Sequence, residues 1–340
     1  MDISLFDYEL PAELIAQKPV EPRDSSRMLV IPKLAPDLTH DVFVNLPSYL
    51  QPGDLLVFNR TRVIPARLIG RKADTGGRAE CFLLHQLKHD VWSCLVKPGR
   101  RLPPGTRVVF GQGELEGYIE ERTGGGGRIV RFSWQGHFTE ILARIGQTPL
   151  PPYIHETLAD PERYQTVYGD IAGSAAASTA GLHFTEGSLG ALRAMGVDFA
   201  QVLLHIGAGT FKPVESQQIE EHKMHKEYYE ISDETALAVN KAKEEGRRVI
   251  AVGTTPLRTL ESMGSTGILQ AGTGWTELFI YPGYTFRIVD GLLTNFHLPK
   301  SSLLMLVSAL AGRERILAAY HEAIREKYRF FSFGDCCLIL

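Results

Sequence analysis

Cysteine is scarce in this 340-residue chain, and its placement excludes two classes of protein. The four cysteines, at positions 81, 94, 336 and 337, form no C-x-x-C pair, which argues against a zinc ribbon. They also form no framework of the kind found in small secreted domains, and a bridge between the neighbours Cys336 and Cys337 would be strained. We therefore expect free thiols and a reducing compartment.

Long apolar runs and an excess of one charge are also absent. The longest apolar run, residues 303–311, is about half as long as a membrane span, and the N-terminus lacks the basic region of a signal peptide. The 36 Lys and Arg are balanced by 39 Asp and Glu, and the net charge of −3 excludes a polybasic coat for nucleic acid. With 44% hydrophobic and 22% charged residues, the composition is typical of a globular chain. We expect a cytoplasmic protein with no membrane partner.

The chain is about twice as long as the length at which a second domain becomes common, and its sequence shows two regions. Short β segments dominate the first region. From residue 60 to 135, these segments are separated by turns that contain Gly and Pro. The candidate strands are residues 63–69, 80–86, 91–96, 107–110, 115–121 and 129–134. Short strands at this spacing, with no helical period, predict a small closed β-barrel.

After residue 150, buried strands alternate with helices. The candidate strands are residues 202–206, 249–252 and 278–281, and the candidate helices are residues 186–194, 233–245, 303–310 and 316–327. This alternation implies a mixed, largely parallel sheet with helices on its faces. We therefore predict the α/β class, with a body formed by residues 1–59 and 149–340 and a barrel inserted at residues 60–148.

Basic residues are concentrated in the predicted barrel. Between residues 54 and 107, Lys and Arg exceed Asp and Glu by seven, although the whole chain is slightly acidic. This excess is either a solvated barrel surface or a face that binds a nucleic-acid backbone through its phosphates.

A run of small residues at 173–184 would let a ligand approach the backbone closely. Ser174, Ser178 and Thr179 supply hydroxyl groups there, and His183 lies just before a predicted helix. The alternative is a tightly packed turn with a hydrogen-bonded core histidine.

A buried strand runs into a Gly-x-Gly turn at residues 203–211. Turns of this kind often approach nucleotides, but Pro213 prevents the helix that the dinucleotide fingerprint requires. His205 lies in the strand, either as a core histidine or as a group directed at the ligand end of the turn.

His222 and His225 have the i, i+3 spacing that would let them share a helical face with Glu227 as metal ligands. No third histidine or cysteine lies nearby in the sequence, so we predict no metal and favour a helix-surface or substrate-contact role.

Three further segments place polar residues where a strand ends or a helix begins: residues 253–258, 279–284 and 294–302. The carboxyl ends of strands line the binding site in open α/β sheets. Asn295, His297 and Lys300 precede an apolar helix whose N-terminus favours an anionic group, with a plain helix cap as the alternative. Because the P-loop, nucleophile-elbow, zincin and kinase motifs are missing, the residues alone indicate only a ligand-binding α/β enzyme with a basic arm.

Several long blocks, taken in order, extend this interpretation. They include DLLVFNRTRVIPAR at 54–67, YQTVY at 164–168, TAGLHFT at 179–185, HIGAGTF at 205–211 and TNFHLPK at 294–300. With these blocks the chain closely resembles, essentially end to end, the S-adenosylmethionine:tRNA ribosyltransferase-isomerase family of bacterial queuosine biosynthesis. Ser178 stands where the family usually has proline, so this loop would be less rigid.

The resemblance implies transfer of the ribosyl part of S-adenosylmethionine to 7-aminomethyl-7-deazaguanine at the wobble position of tRNA. Epoxyqueuosine forms, adenine and methionine are released, and S-adenosylmethionine is a consumed cosubstrate, so no cofactor is implied. The reaction would start by removal of a proton beside the sulfonium, which requires a base, a proton donor for adenine and exclusion of water. The expected partners of this monomeric enzyme are S-adenosylmethionine and tRNA with that wobble base.

Residue chemistry and motif position then suggest roles. His183 and His205 are the leading candidates for the base or acid. The predicted substrate-binding residues are Ser174, Thr179, Gly207, Gly209, Thr254, Thr255, Tyr281, Asn295 and His297. The predicted contacts to tRNA phosphates are Arg60, Arg62, Arg67 and Lys300.

Two other classes of protein remain open. A methyltransferase would use the Gly207-x-Gly209 turn, but it needs a following helix and would release S-adenosylhomocysteine instead of adenine. A non-catalytic RNA-binding protein would use the basic barrel, but would leave the polar cleft without a role.

Overall fold

The computed structural model describes residues 1–207, 214 and 216–340. The strands of this part of the chain are β1 Arg27–Ile31, β2 Thr39–Val42, β3 Leu55–Asn59, β4 Thr61–Val63, β5 Arg67–Lys72, β6 Arg78–Lys88, β7 Val91–Lys97, β8 Arg107–Phe110, β9 Leu115–Arg122, β10 Gly127–Trp134, β11 Gly146–Gln147, β12 Ile171–Ser174, β13 Asp198–Leu204, β14 Glu227–Ile231, β15 Val249–Val252, β16 Gly272–Thr276, β17 Gly291–Asn295 and β18 Cys336–Ile339. The α-helices are α1 Phe138–Ile145, α2 Glu186–Ala194, α3 Asp233–Glu244, α4 Thr254–Met263, α5 Ser302–Ala311 and α6 Arg313–Arg325.

A nine-stranded sheet forms the body, in the order β16-β14-β13-β3-β15-β17-β18-β1-β2. The pairings β13–β3, β3–β15, β15–β17 and β18–β1 are parallel, and the remaining pairings are antiparallel. The predicted mixed α/β class is confirmed. The sheet is less parallel than predicted, because antiparallel pairs flank its parallel centre.

The centre of the sheet is apolar on both faces. Every residue of β3, β15 and β17 is buried, as expected for parallel strands with packing on both sides. Successive side chains face opposite ways, so Leu55 and Val57 join one hydrophobic core while Leu56 and Phe58 join the other. Because these three neighbouring strands are parallel, their carboxyl ends meet at one edge of the sheet.

Six of the strands form a closed barrel, as predicted. Strands β5, β6, β7, β10, β9 and β8 pair in that order, and β8 returns to pair with β5. The predicted first strand, residues 63–69, is wrong in its bounds, because β4 and β5 are separate. Pro65 lies between them and has no backbone N–H for a sheet, so β4 leaves the barrel and pairs with β12.

The helices of the body largely match the predicted segments. Helix α2 has the predicted bounds and begins with a capping box between Thr185 and Ser188. The predicted strand at residues 278–281 is wrong, because this apolar segment is a loop in which Ile280 is buried in the core. Helix α4 was not predicted, although the Pro256 in its first turn is compatible with a helix start.

Two further predictions concern cysteines and membranes. All four cysteines are unbridged and buried, with Cys336 and Cys337 in strand β18, an interior strand of the nine-stranded sheet. Across the described residues, no helix combines the length and apolar character needed to cross a bilayer.

Candidate active site

A cavity of about 290 Å³ lies where β13, β15 and β17 end. Its walls come from the small-residue segment, the start of α4, the loop after β17 and a C-terminal loop. The lining residues are Tyr153, Ala176, Ala177, Ser178, Thr179, Ala180, Ile206, Gly253, Thr254, Thr255, Thr294, Asn295, Phe296, His297, Leu298, Pro299, Ser301, Leu303, Phe331 and Ser332. This described lining contains hydroxyl, amide, imidazole and aromatic groups but no Asp, Glu, Lys or Arg.

Ser174 joins two walls of the cavity from beneath. Its fully buried Oγ donates to the carbonyl of Ala176 at 2.7 Å and accepts from the backbone N–H of Ile206 at 2.9 Å. These bonds tie the small-residue segment to the end of β13, so Ser174 holds the cavity without lining it.

The turn from β15 into α4 requires glycine. Gly253 has a φ of 100°, and a Cβ there would lie 3.0 Å from Ser178 Oγ. This close approach brings Thr254 and Thr255 to the cavity. Thr255 Oγ1 lies 3.3 Å from Ser178 Oγ and 3.3 Å from Nδ2 of Asn59, a residue that the sequence analysis missed.

A fixed amide forms another wall. Asn295 Nδ2 donates to the carbonyl of Phe331 at 3.2 Å and lies 3.5 Å from the carbonyl of Asp335, and these two oxygens set the orientation of the amide. The same Nδ2 lies 3.2 Å from His183 Nε2, which must therefore accept, leaving Nδ1–H to donate to Ser26 Oγ at 2.7 Å. Within the described residues, the buried Oδ1 of Asn295 has no hydrogen-bond partner.

His183 itself lies behind the cavity wall. Burial, together with the positive charges of Arg329 and Arg23, lowers its pKa from 6.5 to about 3, so the imidazole is neutral at pH 7. Its Nε2 lone pair is engaged by Asn295. This arrangement favours a positioning role for His183 over the direct proton transfer that the sequence suggested.

His205 lies away from the cavity lining. Its Nδ1 is 2.9 Å from Thr61 Oγ1, and its ring stacks on Tyr228 with 6.2 Å between centroids. The ring also packs against Gly173, where a Cβ would lie 2.6 Å from it. Burial lowers the pKa of His205, with Glu230 acting in the opposite direction. The structure therefore does not bring the two predicted catalytic histidines together.

Some of the predicted substrate-binding residues line the cavity and others do not. Those that line the cavity are Thr179, Thr254, Thr255, Asn295 and His297. Gly207 lies just beyond it, where its N–H donates to Glu227 Oε1 at 3.4 Å. Tyr281 packs against the hydrophobic core, and Gly209 falls outside the described residues.

The predicted phosphate contacts are all paired with carboxylates. The pairs are Arg60 with Asp170, Arg62 with Glu162, Arg67 with Glu80 and Lys300 with Asp7. Exposed pairs of this kind contribute only about 0–1 kcal/mol, so a phosphate could replace the carboxylate at low cost. Lys300 lies nearest to the cavity, between the lining residues Pro299 and Ser301.

An aromatic wall lies outside the predicted set of site residues. Tyr153 and Phe331 pack with 4.8 Å between ring centroids, and the Tyr153 hydroxyl lies 2.7 Å from Ser332 Oγ. Burial raises the pKa of Tyr153 to about 12, which keeps the phenol protonated. The sequence has an aromatic-rich run at residues 328–335, which suits either core packing or a stacking surface, and only tertiary folding brings its Phe331 beside Tyr153.

Metal ligation has no support in the residues that the structure describes. No group of three or more His, Cys, Asp or Glu side chains there could hold a metal ion. His222, one of the weighed ligands, packs edge-on against Phe279 with 5.2 Å between ring centroids.

Replacing Ser178 with proline is expected to stabilise the protein by about 0.4–1 kcal/mol. Ser178 has a φ of −75°, close to that of proline, and among the described residues its backbone N–H donates no hydrogen bond. Urea unfolding of Ser178→Pro beside Ser178→Ala separates the ring from the lost hydroxyl. A proline variant less stable than the alanine variant would contradict this expectation.

The fold and cavity define a ligand-binding α/β enzyme body with an inserted β-barrel. The sequence model of the family described as "Queuosine biosynthesis protein" matches residues 3–339, so the chain belongs to that family.

Individual relatives carry a more specific name. The chain is 60% identical over 340 residues to the S-adenosylmethionine:tRNA ribosyltransferase-isomerase of Carboxydothermus hydrogenoformans, and 56% identical over 341 residues to that of Desulfitobacterium hafniense. Each alignment covers 100% of both chains. A crystal structure of S-adenosylmethionine tRNA ribosyltransferase from Thermotoga maritima is 40% identical, with a TM-score of 0.57, over 99% of this chain and 100% of that one.

Proposed function

We propose that this protein transfers and isomerises the ribosyl part of S-adenosylmethionine onto 7-aminomethyl-7-deazaguanine at the wobble position of tRNA. The product is epoxyqueuosine in tRNA, and adenine and methionine leave. The observation that carries the proposal is the 60% identity, over the whole of both chains, to a relative named for this transfer. S-adenosylmethionine is then a consumed cosubstrate, and the enzyme works as a cytoplasmic monomer without a cofactor.

The chemistry of the cavity supports S-adenosylmethionine as the ligand. A sulfonium is a cation without hydrogen-bond donors, and aromatic ring faces such as those of Tyr153 and Phe331 attract such cations. The hydroxyls of Thr179 and Thr254 suit the ribose. The unpartnered Oδ1 of Asn295 is an acceptor for a ribose hydroxyl or the amino group of adenine.

The junction between barrel and body supports RNA as the acceptor. Strand β4 joins the barrel to the body. Arg62 lies on this strand and Arg60 directly precedes it, and both side chains are partly exposed. Single-stranded loops can present an unstacked base to a cavity, whereas the major groove of an RNA duplex is too narrow for side chains. An anticodon loop is therefore the RNA form that fits this proposal.

Removing two of these cations is expected to lower the salt dependence of tRNA binding. In the double variant Arg60→Gln/Arg62→Gln, the slope of log K against log salt should fall by about one for each phosphate contact removed. Arg325→Gln, on α6 and paired with Glu322, is the matched control. Filter binding at several salt concentrations measures the slopes. A double variant with the slope of the control would remove both residues from the RNA interface.

The reaction is tested by incubating the purified protein with S-adenosylmethionine and tRNA that carries the aminomethyl-deazaguanine base. Adenine and methionine in equal amounts, with a ribosyl-sized mass gain on the modified nucleoside, are the expected products. tRNA with guanine at the wobble position is the control and should give no adenine. S-adenosylhomocysteine with methylated RNA would indicate a methyltransferase, and tRNA binding without turnover would indicate a binding protein.

A further inference from the structure

One imidazole lines the described part of the cavity, and it is neither of the two predicted catalytic histidines. His297 follows β17 by two residues and is 7% exposed. Its backbone is clamped on both sides, because its N–H donates to Tyr320 Oη at 3.1 Å and its carbonyl accepts from the Tyr8 hydroxyl. The ring therefore projects from a rigid main chain.

The hydrogen bonding of the ring leaves one nitrogen available. His297 Nε2 lies 3.1 Å from Thr294 Oγ1. In the tautomer with hydrogen on Nε2, the threonine oxygen accepts and Nδ1 keeps a lone pair. Among the described residues, no hydrogen bond is made to Nδ1. A neutral imidazole with one nitrogen held and the other free has the arrangement of a general base.

We propose that His297 is the base that removes a proton from the ribose carbon bonded to the sulfonium of S-adenosylmethionine. Thr294 is the residue that positions the His297 ring. This inference rests on the proposed function and adds to it the identity of the proton acceptor.

Other ionisable groups near the cavity are less suited to this step. His183 already uses its Nε2 lone pair and lies behind Asn295. His205 is outside the lining. The Tyr153 phenol is protonated at neutral pH and sits against Ser332, so it cannot accept a proton.

His297 can accept a proton from the bound substrate even though its imidazole is a weak base in the free protein, because the transfer leaves the net charge of the cavity unchanged. Burial lowers the pKa of His297 from 6.5 to about 3, because a positive charge in this site is poorly solvated. The bound sulfonium already brings one positive charge into the cavity. Proton transfer moves that charge from the substrate to the imidazole and creates no additional charge.

The proton balance also accounts for the leaving group. The C–H bond breaks, its electron pair stays on carbon, and the proton forms an N–H bond on His297. That electron pair forms a double bond to the neighbouring ring carbon C4′, and the C4′–O4′ bond breaks. The electrons released on the ring oxygen form a C1′=O bond, and adenine leaves from C1′ with the electrons of its glycosidic bond. Adenine then takes the proton from the imidazolium, and His297 returns to the neutral form.

The test compares His297→Gln with His321→Gln, the same change at an exposed histidine on α6. Three quantities are measured. They are the binding of S-adenosylmethionine, the release of adenine with substrate tRNA, and the uptake of solvent deuterium at the ribose carbon bonded to sulfur in recovered S-adenosylmethionine. We expect His297→Gln to reduce both adenine release and deuterium uptake by about 10²-fold or more, and His321→Gln to behave as the wild type.

Two further variants keep the result interpretable if His297→Gln binds S-adenosylmethionine poorly. In His297→Ala, added imidazole should restore part of the deuterium uptake. Thr294→Val should lower turnover more than Thr294→Ser, which keeps the hydroxyl.

The outcomes separate this inference from the proposed function. Turnover of His297→Gln within about threefold of the wild type would overturn the role of His297 alone. Deuterium uptake that persists while adenine release is lost would also overturn it, because the base would then be another group. A wild-type protein that releases no adenine would overturn the proposed function first.

Discussion

Lowering the pH from 7 to 5 is expected to reduce the free energy of unfolding by about 4 kcal/mol through two histidines alone. His183 and His297 are both buried, and burial lowers each pKa from 6.5 to about 3. In the unfolded chain both take up a proton near pH 6.5, whereas in the folded chain both stay neutral. The unfolded state therefore binds more protons between pH 6.5 and 3, and stability falls as the pH falls through that range.

Urea unfolding at pH 5, 6 and 7 measures this effect. Carboxyl groups titrate in the same range, and burial raises the pKa of Asp335, which acts in the opposite direction. The useful quantity is therefore the difference between the wild type and the double variant His183→Gln/His297→Gln. The variant should lose about 4 kcal/mol less than the wild type between pH 7 and pH 5. Equal losses would mean that these imidazoles are not buried in the neutral form.

Breaking the buried ion pair between Arg258 and Glu227 is expected to cost about 3–5 kcal/mol of stability. Their side chains are 6% and 5% exposed, and Arg258 Nε also donates to the carbonyl of Leu278 at 3.0 Å. Glu227 Oε1 accepts from the N–H of Gly207, at the end of the strand that supports the cavity. Loss of one partner leaves a charge buried without its counter-ion.

A double-mutant cycle tests this expectation. Arg258→Met and Glu227→Leu should each be strongly destabilising, while the double variant should recover most of the loss because two apolar groups pack together. Arg325→Met breaks the exposed pair with Glu322 and should cost under about 1 kcal/mol. Single variants of the buried pair with losses as small as that of Arg325→Met would contradict the account.

Local signals predicted much of the fold. The capping residue Thr185 and the following apolar spacing give α2 its observed bounds, and turn residues at short intervals predict the barrel. The strand predicted at residues 278–281 was wrong, because an apolar run buried in a loop has the same sequence pattern as a buried strand. The antiparallel pairing of β18 with β17 could not be predicted, since the partner of a strand is decided by the whole chain.

The site was predictable in composition but not in arrangement. The rule that strand ends line the site led to Thr254, Asn295 and His297, which do line the cavity. The sequence could not show that His183 hydrogen-bonds Asn295 from behind. A histidine beside a glycine-rich turn has the same local pattern whether its lone pair is free or engaged, and only tertiary contacts decide between the two.

Isotope transfer tests the central claim most directly. Two samples of S-adenosylmethionine, one labelled with ¹³C in the ribose and one in the methyl group, are each incubated with the protein and substrate tRNA. The ribose label is expected in the modified nucleoside, while the methyl label is expected to leave with methionine. Methyl label in the RNA, with the ribose label still joined to adenine, would contradict it.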